Sequence, residues 1–184
     1  MKKVLISVMG PDRPGIIAAV SRMLYELDCN IENVSQTTLQ SQFGGIFLAS
    51  IPGQLSDSEI LQKLNTGLDP LRLHAHVQYL EEAEIERQMI ESEPFVITTK
   101  GPDRKGLVAR ITEILARYGV NVTNLQAVFK GGKDPGDNIM IYEVDVPLEI
   151  DHSALYRDLR KRSEELDLDI SIQHRQIFEA LNRI

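Results

Sequence analysis

The chain contains the same segment twice, and this repeat constrains its fold more than any other feature of the sequence. Residues 4–37 align without gaps with residues 95–128 at an offset of 91 residues, and 10 of the 34 aligned positions are identical. The longest shared run, Gly-Pro-Asp-Arg-x-Gly, covers 10–15 in the first copy and 101–106 in the second. A chain of 184 residues is long enough for one domain or for two small ones. The repeat favours two related units.

The apolar residues behind this motif also recur, and they predict an amphipathic helix in each copy. Helix 1 is expected to begin near Pro14 and to end near Asp28 in the first copy and near Gly119 in the second. Six apolar positions at helical spacing correspond between the copies: Ile16, Ile17, Val20, Met23, Leu24 and Leu27, with Leu107, Val108, Ile111, Ile114, Leu115 and Tyr118.

The remaining runs predict the order strand, helix, strand, strand, helix, strand in both copies. Gly44-Gly45 is expected to turn the first hairpin, and Ser56 and Asp151 are expected to begin the second helices. The order is typical of an α+β fold with two ferredoxin-like βαββαβ domains, each a four-stranded antiparallel sheet with two helices on one face. The predicted strands cover about 3–9, 30–39, 46–51 and 71–79, then 94–100, 121–129, 139–146 and 168–175.

The repeat also sets the expected domain boundaries. Residues 1–80 and 93–184 are predicted to form the two domains. The segment 81–92 between them is charged and lacks Gly and Pro, which predicts a helical linker. A sheet with helices on one face leaves its other face and its edge in need of cover. The two copies in one chain can cover each other, or a second chain can contribute, and we expect a homo-oligomer.

Composition and charge exclude several classes of protein. The 20 Lys and Arg residues against 27 Asp and Glu give a net charge of −7, which disfavours direct binding to nucleic acid. No apolar run approaches the ~20 residues of a membrane span, and the N-terminal apolar run lacks a signal-peptide cleavage site. The single cysteine, Cys29, excludes an internal disulfide and a cysteine-based zinc site. We expect a cytoplasmic protein with no membrane association, metal or cofactor.

The repeated loop before helix 1 predicts a binding site for a small anion. Gly15 and Gly106 lie at the start of this helix, where the first N–H groups have no intrahelical partners and the helix dipole is positive. A carboxylate suits such a position. Asn30 and Asn121, which begin the next strand, offer both donors and acceptors to a polar ligand group.

A purely structural interpretation of the same residues stays open. Gly-Pro-Asp is a common turn sequence, so Asp12 or Asp103 could serve only to cap helix 1. The arginines that follow them, Arg13 and Arg104, would then be solvated loop charges.

The sequence resembles a known family at these residues. The run Asp12-Arg13-Pro14-Gly15-Ile16, an amphipathic helix and then Asn30-Ile31 resemble the ACT domain, a small-molecule-binding regulatory module, and 103–107 with 119–122 resemble it again. The resemblance covers nearly the whole chain, and the tandem arrangement is similar to the glycine cleavage system transcriptional repressor family. It implies paired sheets that bind amino acids at their interfaces, near the loop between strand 1 and helix 1. By this resemblance the ligand-facing residues are Asp12, Arg13, Pro14, Gly15, Ile16 and Asn30 in the first copy and Asp103, Arg104, Gly106, Leu107 and Asn121 in the second.

The same resemblance implies a function. The chain is expected to be a non-catalytic sensor that binds a small, glycine-like amino acid and modulates a protein partner such as a transcription regulator, without touching DNA itself. Lys105 replaces the proline of the usual Asp-x-Pro-Gly pattern, so we expect the first copy to be the better site. Two alternatives are a ligand-free interaction scaffold and an acylphosphatase-like hydrolase that uses Arg13 and Asn33.

The other candidate residues indicate ordinary structural roles. His74 and His76 share one strand face but have no cysteine or acidic partner at ligand spacing. Cys29 corresponds to Val120, which indicates a packed thiol and not a nucleophile. The basic cluster at 157–162 is followed by glutamates and is expected to be a solvated helix face.

Overall fold

Each copy of the repeat folds into one four-stranded antiparallel sheet with helices packed against it, which confirms the predicted fold class. The computed structural model of the protein describes residues 2–53, 55–80, 91–129 and 138–182. The chain divides into two compact units, Met1–Gln88 (the first unit) and Met89–Ile184 (the second unit).

The two units share one order of elements. The first unit contains β1 (Lys2–Pro11), α1 (Ile16–Glu26), β2 (Asn30–Leu39), β3 (Gln42–Ile51), α2 (Asp57–Leu68), a 3-10 turn (Asp69–Leu71) and β4 (His74–Leu80). The second contains β5 (Ser92–Gly101), α3 (Leu107–Arg117), β6 (Asn121–Phe129), β7 (Asn138–Pro147), α4 (His152–Glu165), β8 (Asp169–His174) and α5 (Arg175–Asn182). The strand orders are β2-β3-β1-β4 and β6-β7-β5-β8.

The core of the first unit lies between the helices and one face of its sheet. Val4, Ile6 and Val8 alternate along β1 and are fully buried, while their neighbours in the strand keep some exposure. On α1 the buried residues are four of the predicted apolar positions: Ile16, Val20, Met23 and Leu24. In the second unit the buried face of α3 consists of the corresponding residues: Leu107, Ile111, Ile114 and Leu115.

The predicted hairpin turn at Gly44-Gly45 is wrong. Both glycines lie inside β3, and the chain turns between Leu39 and Gln42, where Gln40 adopts a left-handed conformation (φ 54°). Gly45 has a packing role instead, because a Cβ at this position would lie 2.7 Å from the ring of Phe43. The absence of a side chain therefore lets an aromatic ring lie over the strand.

Beyond the hairpin, equivalent positions of the two units are offset by 95 residues and no longer by 91. Phe47 opposes Ile6 in the first sheet, and Tyr142 opposes Ile97 in the second. The change of four residues falls between β6 and β7, in a segment that lies mostly outside the described residues.

The second unit carries a C-terminal helix that the sequence analysis did not predict. This helix, α5, contacts β5 and β8. Its first residue, Arg175, donates from Nη2 to Glu143 Oε2 at 3.0 Å, and Asn124 Nδ2 donates to Glu143 Oε1 at 2.8 Å. Glu143 alternates along β7 with buried residues, so this network lies on the sheet face opposite α3 and α4. Asn124, which corresponds to Asn33 of the first copy, thus has a structural role.

The linker predicted over 81–92 falls mainly on 81–90, which lie outside the described residues. At its end, Ser92 is already the first residue of β5, so the strand begins two residues earlier than the predicted 94.

Candidate ligand-binding site

The loop after β1 leaves the N-terminus of α1 without a side-chain cap. Gly15 is the N-cap residue, in the left-handed conformation (φ 96°), and no side chain bonds to the helix start. The first intrahelical bond runs from Ala19 N to Gly15 O at 2.9 Å, so the three preceding N–H groups have no acceptor within the helix. Asp12 is therefore not a helix cap, which removes one structural explanation for its presence in the motif.

An open cleft of ≈ 490 Å³ lies beside this helix start in the first unit. One wall is the loop and the first turn of α1, and the other wall is the end of β2 with the start of β3. The nine lining residues are Asp12, Arg13, Gly15, Ile16, Ile17, Ala18, Gln36, Thr38 and Phe43.

Two opposite charges at this cleft have no protein partners. Asp12 and Arg13 are exposed, and among the described residues neither side chain makes a hydrogen bond or an ion pair. The loop itself is held by its backbone, because Asp12 N donates to Ser41 O in the β2–β3 turn at 2.8 Å. The loop backbone thus places a negative and a positive side chain near the positive end of a helix, beside the open cleft.

The corresponding loop of the second unit has the same backbone but satisfies its charges internally. Gly106 is again an uncapped N-cap in the left-handed conformation (φ 87°). Arg104 Nη2 donates to Asp167 Oδ2 at 2.7 Å, and Asn138 Nδ2 donates to Asp103 Oδ1 at 3.3 Å. Arg104 is therefore an ion-paired residue, and Asp103 accepts a hydrogen bond from β7.

The structure does not bring all the predicted site residues together. Asp12, Arg13, Gly15 and Ile16 line the cleft, and Pro14 lies in the same loop without lining it. Asn30 pairs with Ser50 at the opposite end of the sheet. Its counterpart Asn121 likewise pairs with Asp145, far from the loop at 101–106, and Leu107 is a buried residue of the α3 core.

The separation of Asn30 from the loop is large. Ser50 pairs with Lys3, eight residues before Pro11 on β1. At about 3.3 Å per residue, the two ends of the sheet are about 26 Å apart. Within the first unit, Asn30 therefore cannot contact a ligand held at the loop.

The same register separates the pair expected for a hydrolase. Asn33 pairs with Leu48, which pairs with Leu5, whereas Arg13 follows the far end of β1. These two side chains lie at different ends of the sheet, so they do not form an anion-binding pair within one unit.

Sequence reasoning missed the part of the cleft that β2 and β3 provide. The predicted site residues did not include Gln36, Thr38 or Phe43. Gln36 and Thr38 nevertheless lie on the same face of β2 as Val34, at every second residue. This period of two was visible in the sequence. Its relation to the helix start depends on strand register, which the misplaced hairpin turn obscured.

The other candidate residues have the structural roles that the sequence indicated. Cys29 is buried, and burial raises the pKa of its thiol, as expected for a packed side chain. His74 and His76 are exposed on β4, and the described part of the chain contains no group of three or more His, Cys, Asp or Glu residues placed to hold a metal ion. In the basic cluster, Arg162 pairs with Glu165 at 3.5 Å. No helix among the described residues is long and apolar enough to span a membrane.

Comparisons with known proteins place this geometry in context. A family model described as the ACT domain matches residues 2–78 and 93–173. The UPF0237 protein of Methanosarcina acetivorans is 32% identical over 94 residues, which cover 50% of this chain and 98% of that protein. Among solved structures, an unknown protein from Galdieria sulphuraria shares 22% identity with a TM-score of 0.78 and covers 94% of this chain and 98% of its own. A provisionally assigned glycine cleavage system transcriptional repressor shares 18% identity with a TM-score of 0.66, over 94% of this chain and 96% of its own.

Proposed function

The chain belongs to the ACT domain family through both of its units, and from this premise we propose that it is a non-catalytic regulatory sensor for a small, glycine-like amino acid. The observation that carries the proposal is the open cleft of the first unit. There, the helix start is uncapped, and Asp12 and Arg13 have no side-chain partner in the part of the chain that the structure describes. These groups offer partners for both charged groups of a free amino acid.

The chemistry of the cleft matches a zwitterion. The ligand carboxylate binds Arg13 and the free N–H groups of the first turn of α1, which favour an anion. The ligand ammonium binds Asp12. Ile16 and Phe43 are both more than nine-tenths buried and form an apolar floor that restricts the size of the ligand side chain.

Asn30 enters this site only from another copy of the chain. In its own sheet β2 is an edge strand, so its outer backbone groups are free to pair. Antiparallel pairing of two β2 edges would place Asn30 of the partner subunit near residues 36–38, which border the cleft. We therefore expect a homo-oligomer in which Asn30 of the partner subunit completes the polar lining.

The proposed output is a change in contacts with a protein partner such as a transcription regulator. A ligand shifts an equilibrium between two arrangements only if it binds one of them better.

The net charge of −7 disfavours direct contact with nucleic acid. A cytoplasmic location remains a prediction of the sequence analysis.

Calorimetry on the full chain with the twenty amino acids tests this proposal. Arg13→Ala is expected to weaken binding of the responding amino acid by about tenfold to a hundredfold, as for loss of a charge-assisted hydrogen bond. Arg22→Ala, which removes an exposed arginine from the middle of α1, is the matched control and should bind normally. Absence of heat across the whole panel, together with an unfolding temperature that no amino acid changes, would instead favour a ligand-free scaffold.

A second pair of variants tests the two remaining assignments. If the partner subunit completes the site, Asn30→Ala should weaken binding of the amino acid at concentrations where the chain is oligomeric. At a dilution where the chain is monomeric, the same substitution should not change binding. Turnover of an acyl phosphate that Arg13→Ala abolishes would overturn the non-catalytic assignment.

A further inference from the structure

The residue two positions before the last strand of each unit differs in charge between the two units. Arg72 and Asp167 are equivalent: both are left-handed, with φ 57° and 54°. Both main-chain carbonyl oxygens lie 2.6 Å from the position a Cβ would take at the motif glycine of their unit, Gly10 or Gly101. The two side chains therefore start from the same place beside the loop.

This difference changes what the loop arginine faces. In the second unit the Arg104 guanidinium holds the Asp167 carboxylate at 2.7 Å. In the first unit the same two positions are Arg13 and Arg72, which are both exposed and have no ion-pair partner among the described residues. Two like charges at positions that can touch repel each other, and an anion between them would relieve that repulsion.

The loop aspartate also has a partner in the second unit that it lacks in the first. Asn138 of β7 opposes Gly101 and donates to Asp103, whereas Phe43 opposes Gly10 in the first unit and cannot donate. Both loop charges of the second unit therefore have a partner within the chain. Both loop charges of the first unit remain available to a ligand.

We propose that Arg13 and Arg72 form an anion subsite beside the loop that takes the carboxylate of the amino acid, although Arg72 itself does not line the cleft. In the second unit, Asp167 fills the equivalent subsite with a carboxylate of the chain. Each chain then binds one ligand, in its first unit. The inference rests on the proposed sensor function and adds the residue position that decides which unit binds.

Exchanging the charges at this position tests the inference in the full chain. Arg72→Asp supplies an internal carboxylate to Arg13, and Asp167→Asn removes the one that occupies Arg104; Asp and Asn both tolerate the left-handed conformation. The backbone amides of Gly15 and Gly106, observed by NMR, report on the two loops separately. The probes are the amino acid that binds in calorimetry, sodium acetate and inorganic phosphate.

The expected result is specific to one unit. In the unmodified chain the amino acid shifts the Gly15 amide and leaves Gly106 unchanged, and Arg72→Asp weakens the Gly15 response by about tenfold or more. The matched charge reversal Arg22→Asp, on the exposed side of α1, should change affinity by no more than about twofold because distant surface charges are screened. Asp167→Asn is expected to add a response at Gly106.

The other outcomes separate this inference from the proposed function. If the unmodified chain binds an amino acid at Gly15 but Arg72→Asp binds it equally well, the anion subsite is wrong and the sensor function stands. An equal response of Gly15 and Gly106 in the unmodified chain would also overturn the subsite. Binding of acetate or phosphate at Gly15 that Arg72→Asp abolishes, with no amino acid bound, supports the subsite and contradicts the sensor function. If no probe shifts Gly15, both are wrong.

Discussion

Ser163 has a buried hydroxyl group, and its removal is expected to stabilise the second unit. The side chain lies on α4, is fully buried, and its Oγ has no hydrogen-bond partner among the described residues. The equivalent residue of the first unit is Leu68, as shown by the matching bonds from Leu73 N to Leu68 O and from Leu168 N to Ser163 O. A position that holds an apolar side chain in one unit thus holds an unsatisfied polar group in the other.

The magnitude follows from three contributions to the free energy of unfolding. A buried polar group without a partner costs about 1–3 kcal/mol, and alanine is a better helix former than serine by about 0.5 kcal/mol. Loss of the single Oγ atom removes a few van der Waals contacts of about 0.1–0.2 kcal/mol each, which offsets part of this gain. Ser163→Ala should therefore raise the free energy of unfolding by about 1–2 kcal/mol, and for a unit of this size each kcal/mol raises Tm by about 4–8 °C.

Urea denaturation of the full chain, followed by circular dichroism, measures this change. Ser153→Ala is the matched control because Ser153 lies on the same helix but is exposed, so only the helix-propensity contribution applies. In the reverse exchange, Leu68→Ser should destabilise the first unit by more than the about 2–5 kcal/mol typical of Leu→Ala, since it also buries a hydroxyl. A loss of 1 kcal/mol or more in Ser163→Ala, with Ser153→Ala unaffected, would show that the hydroxyl has a partner and would refute the reasoning.

Three further predictions concern the first unit. Gly45→Ala should lower the free energy of unfolding by about 1–3 kcal/mol in urea titrations, because the new Cβ would lie 2.7 Å from the ring of buried Phe43. Gly44→Ala, whose Cβ would have its nearest neighbour at 3.8 Å, is the control, and equal effects would contradict the packing argument. Ser56→Ala should cost about 1 kcal/mol by removing the capping box of α2. The bond from Ser56 N to Glu59 lowers the pKa of that carboxyl, so its stabilising contribution is present above the unfolded pKa and is lost as pH falls through the lower, folded pKa. Urea midpoints measured from neutral to acidic pH should therefore decline less steeply in Glu59→Gln, and an identical decline would contradict this assignment.

The sequence determines local structure well where the signal is periodic. The apolar positions of helix 1 predicted its buried face in both units, because a helix that packs on a sheet needs one continuous apolar stripe. The hairpin prediction failed because Gly44-Gly45 is a strong local turn signal, whereas Gly45 is required by the nearby ring of Phe43. Packing of that kind overrides local propensity and is not visible in a short window of sequence. The helix α5 was missed because β8 was extended through Arg175, which instead begins the helix.

The candidate site was predictable only in part for a related reason. The loop residues Asp12 and Arg13 are contiguous and repeated, so the sequence marks them. Gln36 and Thr38 join them through the register of β2. Arg72, from a turn about sixty residues away in the chain, lies beside the motif glycine Gly10. Neither relation follows from the motif. Because the offset between the units changes from 91 to 95 residues, a simple alignment does not show that Arg72 and Asp167 occupy equivalent positions.

The backbone geometry of the duplicated loop is therefore determined by residues of the motif. Which charges remain available at the loop is determined by residues outside the motif. Gly15 and Gly106 adopt nearly the same left-handed conformation and leave both helix starts uncapped, as identical motif residues should. The charges differ because the neighbouring residues differ: Asp167 neutralises Arg104 at 2.7 Å, and Arg72 cannot neutralise Arg13. Conservation of Asp and Arg between the copies is consequently no measure of equal binding. If the proposed anion subsite is right, the charge two residues before the last strand is the more informative difference between the two units of this chain, because it determines whether the loop arginine is free to hold an anion.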